Sequence, residues 1–230
     1  MSYKRLITSI VLNSINIILV AICTIFAFCN FNFMGIEGSL TPDTTSLFAY
    51  FTVDSNLLLM VVSIPILIFE ILMLKNKRDN IPSIIYILKY IGTCAVALTF
   101  ATIAFIFVPM FGLDFWKLYT NNNLIFHLVV PVISIITVIF FENEGINKFK
   151  QTFLGIIPAG IYAIYYTINV YAHMRHDGTV PPEYDIYNFT AAGEIGIIIS
   201  FIGMLLLAYL MAFLIYLFAN IVRKRKKKIE

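Results

Sequence analysis

Long apolar runs separated by short polar breaks dominate the chain. Six stand out, approximately Leu6–Phe28, Leu47–Leu74, Ile81–Pro109, Asn123–Phe141, Thr152–Ala172 and Glu194–Val222. Each far exceeds a buried strand of about 4–8 residues, and none alternates apolar with polar positions as an outer-membrane barrel strand does. A helix needs about 20 apolar residues to cross the hydrocarbon layer, and only helices and closed barrels satisfy their backbone there. The pattern therefore predicts an all-α membrane protein, a bundle of six transmembrane helices. No repeat or low-complexity linker breaks the chain, so residues 1–230 read as one domain ending in a basic tail at 223–230.

The basic residues set the expected orientation. Lys4 and Arg5, then Lys75, Lys77 and Arg78, then Lys148 and Lys150, then the run from Arg223 to Lys228 fall in one set of connections. These are 13 of the 16 Lys and Arg residues. The opposite set holds only Lys117 and Arg175, while Lys89 lies within a span. By the positive-inside rule both termini are expected in the cytoplasm. The opposite connections carry Glu37, Asp43, Asp114, Asp177, Glu183 and Asp185. Trp116, Tyr119 and Phe115 suit an interfacial belt there, and the segment from Tyr171 to Gly193 is long enough to cap the bundle. The basic tail reads as an anchor on the anionic inner leaflet rather than a nucleic-acid site.

Composition narrows the class further. The 230 residues are 60% hydrophobic and 13% charged, with a net charge of +3. Soluble domains carry about 25% charged residues, so a soluble enzyme, a nucleic-acid binder and a disordered chain are excluded. The first apolar run follows Lys4 and Arg5 as in a signal peptide. It lacks a clear small-x-small cleavage site, and a retained first helix is expected. Cys23, Cys29 and Cys94 cannot all pair and match no zinc or redox spacing; they read as small apolar fillers.

Polar residues inside the spans are the candidates for chemistry. The second span begins Tyr50-Phe51-Thr52-Val53-Asp54-Ser55-Asn56. Thr52 and Asn56 are four apart and share a helical face, with Ser55 close to it. Asp54 points about 200° away from Thr52, so it needs a separate partner, His127 or a neighbouring hydroxyl. The fourth span holds Asn123, His127 and Pro131 at four-residue intervals. Proline has no N–H, so the His127 carbonyl loses its usual helix bond, and a bend or polar pocket is expected at that level. Thr52 and His127 lie at similar offsets from the expected outer ends of their spans, about 5–12 Å deep at 1.5 Å per residue. They meet if both faces turn inward. The inner half is expected to be mostly apolar apart from Asn13, Asn16 and Ser63. Thr99, Thr102, Tyr165, Tyr166, Asn169 and Glu194 add polarity to the outer half. His173 and His176 have a ligand-like spacing, but packing and solvent contact explain them better than a metal, and a chance match explains the sequon at Asn188.

Phe51-Thr52 with Ser55-Asn56, and Asn123-x-x-x-His127-x-x-x-Pro131, resemble the family of the androgen-induced and androgen-dependent tissue-factor-pathway-inhibitor-regulating proteins. Prokaryotic six-helix membrane proteins look similar. The motifs span fewer than twenty residues, whereas the six-span layout covers most of the chain. The resemblance implies an intramembrane hydrolase of fatty-acyl esters, with Thr52 as nucleophile and His127 as base. Asp54 departs from the apolar residue expected after that threonine. Asn56 or Asn123 would support an oxyanion or orient the imidazole, with Asp54 beside them. No cofactor or metal is implied; the partners are membrane lipids and the location the plasma membrane of a prokaryote. Two other readings stand beside it. One is a small proton-coupled carrier using Asp54, His127 and Glu194; the other is a non-catalytic lipid-binding protein.

Overall fold

A computed structural model describes residues 3–35, 47–107 and 118–226. Glu37, Asp43, Asp114, Phe115, Trp116 and Lys117 lie outside the described residues, as do the last residues of the basic tail. Six helices are long and apolar enough to cross a membrane. They are α1 (Tyr3–Phe28), α2 (Phe51–Leu74), α3 (Ser83–Phe107), α4 (Asn122–Phe140), α5 (Phe149–Ala172) and α6 (Gly193–Lys226). Among the described residues there is no strand.

The helices turn their apolar faces outward and their polar stripes inward, the reverse of a water-soluble bundle. On α1, Val11, Ile15, Ile18, Ile22 and Ile25 are exposed, while Ser9, Asn13, Asn16, Val20 and Cys23 are buried. Ile161, Ile164 and Ile168 of α5 and Ile198, Ile199, Ile202 and Leu206 of α6 continue the exposed apolar girdle. Lipid tails solvate such side chains as well as a protein core does, so association rests on close packing and internal hydrogen bonds.

Helix α3 is the most buried of the six and packs against α2, α4, α5 and α6. Its run Gly92-Thr-Cys-Ala-Val-Ala97 supplies the small side chains that such a central position needs. A Cβ on Gly92 would stand 2.7 Å from a Val62 methyl and 3.2 Å from the Leu59 backbone. A Cβ on Gly155 of α5 would stand 2.5 Å from the Ala212 Cβ of α6 and 2.9 Å from the Cys94 sulfur. These two glycines mark where α2 meets α3 and where α5 meets both α3 and α6.

Cationic side chains close one end of the bundle. The Arg5 guanidinium donates to the Phe140 carbonyl at the end of α4. The Lys226 ammonium reaches the same carbonyl at 2.9 Å, and Arg223 donates to the Ile146 carbonyl at 3.1 Å. Lysine and arginine commonly satisfy the last carbonyls of a helix. The start of α1 and the end of α6 therefore lie together at one end, called the basic end below. At the same end α2 finishes with Asn76 in a left-handed conformation, φ 53°, a usual helix stop.

Replacing Gly92 or Gly155 by leucine is expected to destabilise the bundle by about 1–3 kcal/mol through overpacking. Thermal unfolding in detergent checks this; a melting temperature unchanged in both variants refutes the close approach.

Candidate active site at the end opposite the termini

The N-terminus of α2 is built by tertiary contacts. A short 3₁₀ turn, Leu47–Ala49, leads into Tyr50, which accepts the Val53 N–H at 3.0 Å. The side chain of Tyr50 does not cap the helix. Instead the Phe51 N–H donates to the Tyr187 hydroxyl at 3.1 Å, and the Tyr162 hydroxyl donates to the Ala49 carbonyl at 2.6 Å. The connection between α5 and α6 thus covers the start of α2, as its length suggested.

Asp185 is the hub of that connection. It is 5% exposed and accepts hydrogen bonds from the Tyr166 hydroxyl, the Phe189 and Thr190 N–H groups and the Thr190 hydroxyl. Burial works against its charge, but these donors outweigh burial and hold its carboxyl below the usual aspartate range. Tyr166, Tyr187, Phe189 and Phe201 pack ring against ring around it.

Helix α4 is irregular where the proline spacing predicted it would be. Ile125–Val129 forms a π-helical turn with His127 at its centre, followed by regular helix from Val130 with Pro131 in its first turn. Pro131 cannot donate to the His127 carbonyl. A wider turn there re-routes the ladder, and such turns are frequent at functional sites.

This turn aims His127 at α2. Its Nε2 stands 3.3 Å from the Thr52 hydroxyl. His127 is 3% exposed, while Thr52 is half-buried. The offsets behind the expected meeting were not equal: Thr52 is the second residue of α2 and His127 the sixth of α4. The two side chains meet because α4 begins about a turn further out. The Leu118 backbone also lies close to the imidazole, whose Nδ1 has no hydrogen-bond partner among the described residues.

The other candidates divide. The Asn56 amide nitrogen donates to the Thr52 carbonyl at 2.7 Å and to the Phe126 carbonyl at 3.3 Å. It therefore ties α2 at Thr52 to α4 beside His127. Both its N–H bonds are committed to backbone, so its amide nitrogen has no donor left for an oxyanion. Ser55 extends the polar patch to α3, with its hydroxyl 3.1 Å from that of Thr99. Asn123 is buried on α4, one turn before His127. Asp54 is half-buried on the side of Tyr162 and Tyr187, close enough to act on both electrostatically. No hydrogen bond links it to His127, the partner first expected for it. His173 stacks on Tyr184 with ring centroids 3.5 Å apart and bonds the Asn169 carbonyl. Among the described residues, no three His, Cys, Asp or Glu side chains gather as a metal site.

Comparison with protein-family models, curated proteins and solved structures finds no match for this chain.

Replacing Asp185 by asparagine is expected to free the cap over α2, since hydrogen bonds to a charged group contribute about 1.5–3 kcal/mol each. Faster amide hydrogen exchange at Tyr187, Phe189 and Thr190 is the readout. The pH dependence follows from the depressed carboxyl. Its contribution is complete above the unfolded aspartate pKa of about 3.9 and is lost as pH falls through the lower folded value. Exchange at those amides should therefore rise only in acid below that range. Unchanged protection in the variant removes Asp185 as the hub.

Proposed function

We propose that the protein is an intramembrane lipid-ester hydrolase with Thr52 as nucleophile and His127 as general base. The observation that carries this reading is the 3.3 Å approach of the Thr52 hydroxyl to His127 Nε2. That distance is slightly long for a catalytic hydrogen bond, as is common before substrate binds. The resemblance in the two motifs points to the same pair.

A threonine hydroxyl is a weak nucleophile until a base takes its proton. In the proposed reaction Thr52 Oγ attacks the ester carbonyl carbon as its proton passes to His127 Nε2. The tetrahedral intermediate expels the alcohol, which takes that proton, and leaves an acyl-threonine. Water then repeats the sequence, losing a proton to Nε2 and releasing the fatty acid and the free hydroxyl. Thr52 lies in the first turn of α2, where the helix dipole is positive and favours a developing oxyanion. Asn56 acts as a positioning residue through the Thr52 and Phe126 carbonyls. With the basic end in the cytoplasm, the site opens at the outer leaflet of the plasma membrane, where an ester keeps its acyl chain in lipid. A proton-coupled carrier is the second reading; the buried ionisable groups at the basic end favour it more than Asp54 or Glu194 do.

Thr52→Ala and His127→Ala are each expected to lower turnover of a fatty-acyl ester by about 10³-fold or more, with the bundle still folded. A fluorophosphonate should modify Thr52, read by mass spectrometry of the labelled peptide. Normal turnover in both alanine variants removes the reading. Asn56→Ala should slow labelling of Thr52 by about 10–100-fold without abolishing it. Labelling at the native rate would deny Asn56 its positioning role.

A further inference from the structure

The basic-end half of the bundle is not the apolar packing expected around Asn13, Asn16 and Ser63. Ser9, Glu70, Lys89, Thr93, Ser134, Thr137 and Glu142 are buried there as well. Glu70, Lys89 and Glu142 are 0%, 0% and 1% exposed. They come from α2, from α3 and from the turn after α4.

Asn13 of α1 joins the three. Its amide nitrogen donates to Glu142 Oε1 at 2.5 Å and to Glu70 Oε2 at 3.3 Å, and its oxygen accepts from Lys89 Nζ at 2.8 Å. Lys89 Nζ also donates to the Ser63 hydroxyl at 2.6 Å, and the Ser9 hydroxyl donates to Glu142 Oε1 at 3.2 Å. One oxygen of each carboxyl is thus satisfied. The other two, Glu70 Oε1 and Glu142 Oε2, are buried without a hydrogen-bond partner among the described residues. Asn16, one turn along the same buried stripe of α1, has neither its oxygen nor its nitrogen paired.

Charge balance decides what is missing. Two carboxylates and one ammonium leave one uncompensated negative charge where water is excluded, with two bare oxygens. A buried group in that position neutralises rather than remain charged. One proton cancels the charge, and its O–H provides the donor that the bare oxygens lack. The remaining charged or titratable groups near the cluster are Tyr86 of α3, Glu144 of the same turn and Arg5 of α1; Tyr86 interacts electrostatically with both glutamates, with Glu144 and with Arg5. Glu144 is exposed and Arg5 bonds the Phe140 carbonyl, so neither supplies the missing donor.

We propose that Glu70 and Glu142, held by Asn13 and Lys89, form a proton-binding site that carries one proton shared between the two carboxyls. The site is independent of the threonine–histidine pair. Leu59, Val96 and Val130, all fully buried, lie on α2, α3 and α4 between the two polar levels, joined by Val20 of α1 in one apolar cluster. Glu142 is two residues beyond Phe140, whose carbonyl takes hydrogen bonds from the half-buried Arg5 and Lys226. The proton therefore belongs to the basic end.

Infrared spectroscopy of the purified protein near neutral pH tests this through the carbonyl-stretch band of protonated carboxylic acids. Asp54→Asn serves as background to remove the carboxyl near the start of α2. One buried acid band is expected. It should vanish in Glu70→Gln and in Glu142→Gln, since either leaves one carboxylate balanced by Lys89. It should double in Lys89→Met, where no cation remains. Absence of the band in the background protein overturns the proposal, as does its persistence at full strength in both glutamine variants. Should the variants fail to fold, the background protein still decides. A band insensitive to sodium concentration supports a proton, whereas sodium-dependent loss of the band assigns the site to a metal cation instead.

Discussion

Hydrocarbon offers no hydrogen-bond partner, and every arrangement in this bundle follows from that. A polar side chain in a span must find its partner on another helix or on its own backbone. The buried stripe of α1 shows the consequence: Ser9, Asn13 and Asn16 face inward while Ile7, Val11, Ile15 and Ile18, one or two positions away, face out. The small residues of α3 let four helices approach closely enough for those partners to meet. Thr93 and Ser134 bond across α3 and α4 at 2.6 Å, and the Tyr90 hydroxyl reaches the Ala212 carbonyl at 2.7 Å.

The polar groups do not spread evenly through the interior. They form two levels, one at Thr52, Ser55, Asn56, Thr99 and His127, the other around Lys89 and the two glutamates. Val20, Leu59, Val96 and Val130 lie between them in one apolar cluster. Each level is held by an asparagine acting as a cross-tie. Asn56 joins two backbone carbonyls on different helices, and Asn13 joins three ionisable side chains. Asparagine suits this work because one planar amide offers donors on one side and an acceptor on the other.

The six spans were legible because twenty or more apolar residues in a row have no other stable reading. The approach of Thr52 to His127 was legible in part: the four-residue spacing to Pro131 marked a disturbed turn, and that turn carries the histidine. What sequence could not give was the true start of each helix. Apolar runs extend beyond the helices that use them, so α2 begins at Phe51 rather than Leu47. The level at the basic end was missed for a related reason. Glu70 sits near the end of its span and Glu142 beyond the end of another, positions that normally meet water. Only the folding of the turn after α4 back against α1 buries Glu142, and no periodicity within one helix encodes that contact.

The two levels also differ in what fold stability requires of them. Asn56, Ser55 and Thr99 are neutral and bond to neighbouring backbone or hydroxyls, which is ordinary packing chemistry for membrane helices. A lysine and two glutamates sealed from water are different. Breaking such a set by removing one member is costly, yet replacing the whole set with apolar residues of similar volume is often neutral or stabilising. A bundle that needed only to hold together would do as well with leucines at these positions. The ionic level is thus not explained by the stability of the six helices, and its two carboxyl oxygens without a hydrogen-bond partner among the described residues agree with a proton held there. Val20, Leu59, Val96 and Val130 stand between that proton and the Thr52–His127 pair, so the two polar levels are separate sites.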